Sequence, residues 1–299
     1  MKEVVLITGA SGTLATYVSG FLSNDYEVRL LTTNKKICDN KKFFYWNIDN
    51  LTLDPSCFNN LSYIIHLAGY SILKNWSTKN KKIMYSSRVK STELLFSFCK
   101  KNNVNLKAFI CASAMGIYKP TNLKIDEKSE KCVSWLGQMA VDWEKSSDLF
   151  KELNTRVIQL RIPLILSRKG GFLKYNILSM KFRLGVILGN SKSRFNWIYI
   201  EDIARFIKFS FTNDYCHGAY NITVGQKCTN YQFYKVARKI MFPFLLIFNI
   251  PSYFIRKIIG PRSQILITNY NLDNSKLIKT GFNLKYNTVE SLFNYLKRN

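Results

Sequence analysis

The run Val4-Val5-Leu6-Ile7-Thr8-Gly9-Ala10-Ser11-Gly12-Thr13-Leu14-Ala15 constrains this chain more than any other segment. A short apolar strand ends in a glycine pair just where it must turn into a helix. Such a junction needs small residues because the turn is tight. It needs them also because the backbone must come close enough to a pyrophosphate for helix N-terminal N–H groups to bind it. Gly9, Ser11, Gly12, Thr13 and Leu14 are the candidate phosphate cradle. Ala15 stands where a third glycine is usual; that position serves close packing of helix on strand, and alanine adds only a methyl group.

Downstream, the pattern repeats strand then helix, the signature of parallel βαβ units. Strands are expected over 4–8, 27–32, 43–47, 63–68, 108–113 and 156–161. One long helix is expected over 79–101, with Ile83, Val89, Leu94, Leu95 and Phe98 on its apolar face. A second is expected over 136–153, with Val141, Leu149 and Leu153 toward the sheet. The fold class is therefore α/β, a doubly wound parallel Rossmann-type sheet with a smaller C-terminal α/β substrate lobe. Residues 1–165 form the dinucleotide-binding domain, with 195–222 returning to it; 166–194 and 223–299 form the lobe.

The second strand ends Leu30-Leu31-Thr32-Thr33-Asn34-Lys35-Lys36, with no acid to accept the adenosine ribose hydroxyls. Thr32, Thr33 and Lys35 suit a 2′-phosphate, which favours NADP(H) over NAD(H). The lysines also fit a plainer reading, because the whole chain is basic: 44 Lys+Arg against 19 Asp+Glu give a formal +25. Such a charge favours polyanions. Yet the lysines are scattered and accompany abundant Asn, Ile, Phe and Tyr, as an AT-rich gene would impose. No nucleic-acid-binding motif accompanies them, and no specific nucleic-acid partner is expected.

Seven cysteines (Cys38, Cys57, Cys99, Cys111, Cys132, Cys216, Cys228) form no CxxC pair, so neither a disulfide framework nor a metal site is suggested. Together with a strand that starts at once and leaves no room for a cleavable leader, this points to the cytoplasm. The apolar stretch 241–250 is too short to span a membrane, which takes ~20 residues, and contains Pro243. Residues 252–260, with Arg256 and Lys257, would suit a basic amphipathic surface for anionic lipid. A buried lobe helix is the reading preferred here.

With these residues in view, the chain resembles the extended short-chain dehydrogenase/reductases. More closely it is similar to an epimerase family branch of uncertain substrate, with its own C-terminal extension. The resemblance rests on Thr8-Gly9-Ala10-Ser11-Gly12, His66-Leu67-Ala68-Gly69, Trp76 with Ser87-Arg88-Val89, Ala112-Ser113-Ala114-Met115-Gly116-Ile117-Tyr118, and Asp142-Trp143-Glu144. It continues through Leu160-Arg161-Ile162, Gly170-Gly171, Phe182-Arg183-Leu184-Gly185, Trp197-Ile198-Tyr199-Ile200-Glu201-Asp202, Tyr220-Asn221 and Gly281-Phe282. It implies that Leu67, Ala68 and Gly69 line the cofactor, and that Arg88 grips a cofactor phosphate or an anionic substrate. It implies catalysis by Ser113, hydrogen-bonding a substrate carbonyl, with Tyr118 as a substitute acid.

The usual acid/base pair of the superfamily, a tyrosine and a lysine one helical turn apart, is missing: Leu136 and Ala140 occupy its positions. Two other YxxxK strings, Tyr231 to Lys235 and Tyr253 to Lys257, are taken as chance. Asp202 is expected as a helix N-cap. Pro163, Lys169 and Tyr199 depart from the branch. The implied function is an NADP(H)-dependent oxidoreductase or nucleotide-sugar epimerase (an isomerase) acting on a small, nucleotide-linked molecule. The alternative is a non-catalytic dinucleotide-binding regulator or interaction protein. Oligomeric state is left open.

Overall fold

The computed structural model describes residues 2–38 and 42–298. Six strands open the chain: β1 (Val4–Thr8), β2 (Glu27–Thr32), β3 (Phe43–Asn47), β4 (Thr52–Leu53), β5 (Leu61–His66) and β6 (Ala108–Ala114). With Arg156–Ile162 and Gly218–Asn221 they build an eight-stranded sheet, ordered Gly218–Asn221, Arg156–Ile162, β6, β5, β1, β2, β3, β4. β1 pairs in parallel with both β2 and β5, and β5 in parallel with β6, while β4 turns back antiparallel on β3. All five residues of β1 are buried, as a central strand covered on both faces requires.

Strand order reverses at β1: the chain moves outward through β2 and β3, then returns to place β5 on β1's other edge. That is the switch point at which doubly wound sheets leave a crevice beyond the strands' carboxyl ends. The first helix, α1 (Thr13–Leu22), follows β1. The expected helix over 79–101 is instead three pieces. Between α2 (Thr78–Tyr85) and α3 (Ser91–Lys101), Ser86–Lys90 winds as a wider π-turn. The hydroxyls of Ser87, Ser91 and Thr92 bond back to the carbonyls of Met84, Ser87 and Arg88, and such back-bonding competes with the regular ladder. In α4 (Trp135–Asp148) the buried stripe is Met139, Ala140, Trp143 and Ser147, continued by Phe150. Val141, Leu149 and Leu153 are half-buried beside it, because the tryptophan and the small residues set the phase.

The chain divides into two compact units, residues 1–117, 133–161 and 204–220 in the first, and 118–132, 162–203 and 221–299 in the second. Three stretches differ from the sequence expectation, the shortest being residues 162–165, which fall in the second unit and not with 1–161. Residues 118–132 fall in the second unit because Thr121–Ile125 pairs with Tyr270–Leu272. Residues 195–203 do so because Trp197–Tyr199 pairs with Leu164–Leu166, so only 204–220 belongs to the first unit. The second unit also holds α5 (Gly171–Lys181), the start of α6 (Ile200–Phe211), α7 (Asn230–Ile240) and α8 (Ser252–Ile259).

The buried lobe helix expected after residue 240 is not found. Pro243 and Pro251 bracket an edge strand, Leu246–Ile250, and α8 beyond it buries a single side chain, Ile255. Asp202 is likewise not an N-cap. It lies inside the first turn of α6, fully buried, and accepts from the backbone N–H groups of Lys285 (2.8 Å) and Tyr286 (3.0 Å). Its role is to anchor that returning loop.

Candidate functional site

The two loops singled out in the sequence meet beyond the ends of β1 and β5. Gly9 has φ +76°, and a Cβ there would stand 3.0 Å from Ala68 Cα and 3.0 Å from Leu67 O. Both obstacles are backbone, so only glycine permits this approach. Gly12 donates to Gly9 O (2.8 Å) and N-caps α1 without any side-chain cap, and the first helical turn holds no acid. Ser11, Gly12 and Thr13 are exposed and Leu14 is half-exposed. The first-turn N–H groups of α1 are thus free of side-chain competition for an anion.

A buried network beneath this turn sets its shape. Thr8 Oγ1 accepts from the N–H groups of Leu67 and Ala68, both at 3.0 Å, and contacts His66 Nδ1 at 2.8 Å. With its lone pairs taken, the hydroxyl donates its one proton to Nδ1, so His66 carries its hydrogen on Nε2, facing Ser91 Oγ at 3.1 Å. Burial holds the imidazole neutral, its pKa lowered to about 4.

Tyr70, one residue past Gly69, is clamped by the π-turn: its N–H donates to Ser87 Oγ (2.8 Å) and its carbonyl accepts from Arg88 Nη1 (3.0 Å). Nη1 also donates to Met84 O, and the guanidinium lies 5.2 Å from the Trp143 ring centre. Among the described residues Arg88 makes no ion pair, and burial lowers its pKa to about 10. Its Nη2 would lie 3.0 Å from a Cβ on Gly69, so that glycine gives the guanidinium its room.

At the end of β2, Thr32 is buried and its Oγ1 accepts from Asn34 N, while Asn34 caps a short turn over Lys35–Ile37. Thr33 and Lys35 are exposed, and the Lys35 ammonium sits 4.8 Å from the Tyr45 ring centre. Among the described residues no acid occupies this strand end.

Ser113 and Tyr118 carry separate networks. Ser113 Oγ donates to Glu144 Oε1 (2.7 Å), and Glu144 is gripped by Arg161. While that bond stands, the hydroxyl's only proton is spent, so Ser113 can accept from a substrate group but cannot donate to a carbonyl, contrary to the expectation from sequence. Tyr118 is fully buried and donates to Asn221 Oδ1 (2.6 Å). Asn221 is held in turn by the carbonyls of Ile125 and Asp273. Leu136 and Ala140 lie in α4 where the proton-transfer pair would be, and neither has a proton to give. Glu144 and Arg161 were visible in the sequence only as parts of motifs. Their signal was a glutamate on a helix face otherwise directed into the core.

Sheet order, switch point and glycine turn define a dinucleotide-binding α/β fold of the short-chain dehydrogenase/reductase type. Residues 5–134 match the model of the NAD dependent epimerase/dehydratase family. Epimerase family proteins of Staphylococcus aureus strains MRSA252 and NCTC 8325 are each 29% identical over 294 residues, covering 97% of this chain and 97% of theirs. The crystal structure of the human epimerase family protein SDR39U1 with NADPH superposes with TM-score 0.88 at 22% identity, covering 99% of both chains. UDP-N-acetylglucosamine 4-epimerase from Methanobrevibacter ruminantium, in complex with UDP-N-acetylmuramic acid, gives 0.77 at 18%, covering 100% of this chain and 99% of that one. Over nearly its whole length the chain is similar to epimerase-family proteins, as its motifs implied.

Proposed function

We propose that this chain binds NADP(H) in the crevice beyond β1 and β5 and acts there as an oxidoreductase or epimerase on a small, anionic or nucleotide-linked substrate. The observation that carries the reading is Gly9, whose missing Cβ brings the Thr8–Gly12 turn against Leu67 and Ala68. Ser11, Gly12, Thr13 and Leu14 would hold the pyrophosphate at the uncapped N-terminus of α1. Leu67, Ala68 and Gly69 would pass under the cofactor. Thr32, Thr33 and Lys35 would receive the 2′-phosphate. Support for NADP(H) comes from the acid-free end of β2, and from the NADPH carried by the human relative.

When bound, the nicotinamide supplies the hydride-exchanging atom. The protein's share is orientation. Arg88, a half-buried cation with no carboxylate of its own, presents donors to an anionic substrate group or a cofactor phosphate. Ser113 Oγ, its proton fixed on Glu144, accepts from a substrate hydroxyl and so holds an alcohol rather than polarising a carbonyl. A second reading, a dinucleotide-binding regulator without turnover, draws on Leu136 and Ala140 and on the committed protons of Ser113 and Tyr118.

A thermal-shift titration with NADPH, NADP⁺, NADH and NAD⁺ tests binding. A ligand at ~100 times its Kd adds ~2.7 kcal/mol to apparent stability. The phosphorylated pair is expected to give the larger rise in Tm, and no rise with any of the four defeats the proposal. Conversion of a defined substrate, with hydride exchange that Ser113→Ala impairs, separates the enzyme from the regulator.

A further inference from the structure

The second unit carries a surface that the proposed chemistry does not use. Residues 162–200 and 221–272 contain no Asp or Glu, while each stretch holds seven Lys and Arg. Within them Leu246–Ile250 pairs in parallel with Leu184–Leu188, setting Leu184 against Leu246, Val186 against Phe248 and Leu188 against Ile250. Side chains alternate across a strand, so these six share one face. That face is open: Leu246 is 58% and Phe248 50% exposed. The opposite side of Leu184–Leu188 holds buried Ile187 and Gly185, whose Cβ would stand 2.9 Å from the Tyr234 ring.

The apolar surface continues along the chain. Beyond Pro251, α8 turns Ile255 inward and leaves Tyr253, Phe254 and Ile258 exposed, the last at 78%, together with Arg256 and Lys257. At 100° per residue, Phe254 and Ile258 point the same way, with Tyr253 and Lys257 beside them. Phe182 and Phe244, next to the two strands in sequence, are exposed as well, and the Arg183 guanidinium lies 5.3 Å from the Phe244 ring centre. Soluble monomers rarely leave so many large apolar side chains of successive elements in water.

We propose that this face docks on an anionic phospholipid bilayer, lying in the plane of the interface. Charge complementarity and apolar exposure coincide on this surface. Cations interleaved with aromatic and aliphatic side chains, and no acid among them, are what an interfacial element needs: the rings and chains enter the acyl boundary while Lys and Arg meet phosphate. A nucleic acid would engage the cations but leave Leu246, Phe254 and Ile258 in water. A second copy of the chain would bring like charge against like. No helix among the described residues is long and apolar enough to cross a membrane, so the contact is peripheral. The inference does not depend on the dinucleotide reading.

Co-sedimentation of the full chain with vesicles tests it, using phosphatidylcholine alone and phosphatidylcholine mixed with phosphatidylglycerol. Binding is expected to the mixed vesicles only, falling with salt. The Arg256→Glu/Lys257→Glu variant should lower partitioning roughly tenfold or more. Phe254→Ser/Ile258→Ser should lower it several-fold at unchanged charge. All four side chains are exposed, so an unchanged unfolding midpoint is the control for folding. No binding, or equal binding to both vesicles, overturns the proposal. So does binding indifferent to Phe254→Ser/Ile258→Ser, which would reduce the contact to bulk charge. Retention on duplex RNA or DNA without vesicle binding, or a solution dimer that the serine variant dissociates without vesicle binding, would assign the face to another partner and likewise overturn it.

Discussion

Arg161 holds Glu144 in a two-pronged ion pair, Nε to Oε1 at 2.7 Å and Nη2 to Oε2 at 2.7 Å, with the two side chains only 5% and 11% exposed. Ser113 adds a third bond to the same carboxylate, so one charge pair ties the end of β6 to α4 and to the strand Arg156–Ile162. A buried pair of this kind is costly to break from one side, because the surviving charge keeps its desolvation penalty. Arg161→Met should lower stability by about 3–5 kcal/mol. Arg161→Met with Glu144→Leu should recover a large part of that loss. Urea unfolding of the two variants measures both; equal losses would show that the pair's worth lies in packing, not in charge.

Gly9→Ala asks whether the turn is built for close backbone approach. The new methyl meets Ala68 Cα and Leu67 O at 3.0 Å, and the φ of +76° adds the left-handed penalty of about 1–2 kcal/mol for an L residue. The turn must open, and the N–H groups that line it move apart. NADPH affinity, followed by its fluorescence on binding, should fall at least roughly tenfold. The protein should still fold, since the change lies at the strand end and not within β1.

Much of this arrangement was legible in the residues. β1, β2 and β3 have the bounds that the sequence predicts: β1, covered on both faces, leaves a continuous apolar run, while β2 and β3 are marked by their β-branched and aromatic residues. The meeting of Gly9 with Ala68 follows from topology, and motif order pointed to it. Harder to see were interactions whose partners lie far apart in sequence. Nothing local marks Ser113, Glu144 and Arg161 as one network, or Tyr118 as spent on Asn221, 103 residues away. The stretch after residue 240 misled because its hydrophobicity suggested burial. An edge strand and a short helix with one inward residue are equally apolar in composition, and only the tertiary contacts distinguish them.

Lys35 is the simplest probe of cofactor choice. Its ammonium is exposed above Tyr45, and neither Thr32 nor Thr33 brings an acid near it. Lys35→Glu should weaken NADPH roughly tenfold while leaving NADH within a few-fold, and the effect should shrink as salt rises. Paired titrations with the two nucleotides at low and moderate ionic strength check it. Parallel losses for both would place the 2′-phosphate elsewhere.

His66 makes a prediction about acid stability. Its folded pKa of about 4 lies below the unfolded 6.5, so between those values the unfolded chain binds more protons and stability falls as pH falls. Above pH 6.5 the histidine contributes no pH dependence. Each pH step of one between the two values costs about 1.4 kcal/mol, so by pH 4 the accumulated loss from this one group approaches about 3 kcal/mol. Protonation would also place a second N–H against Thr8 Oγ1, whose own proton already points at Nδ1, and would loosen the bonds that Thr8 makes to Leu67 and Ala68. His66→Gln removes the titration, so its stability should decline less steeply than the parent's from pH 6.5 to 4. Dinucleotide binding by the parent, but not by the glutamine variant's remaining folded fraction, should weaken over the same window. Parallel stability curves for the two proteins would show that His66 is not held neutral in the fold.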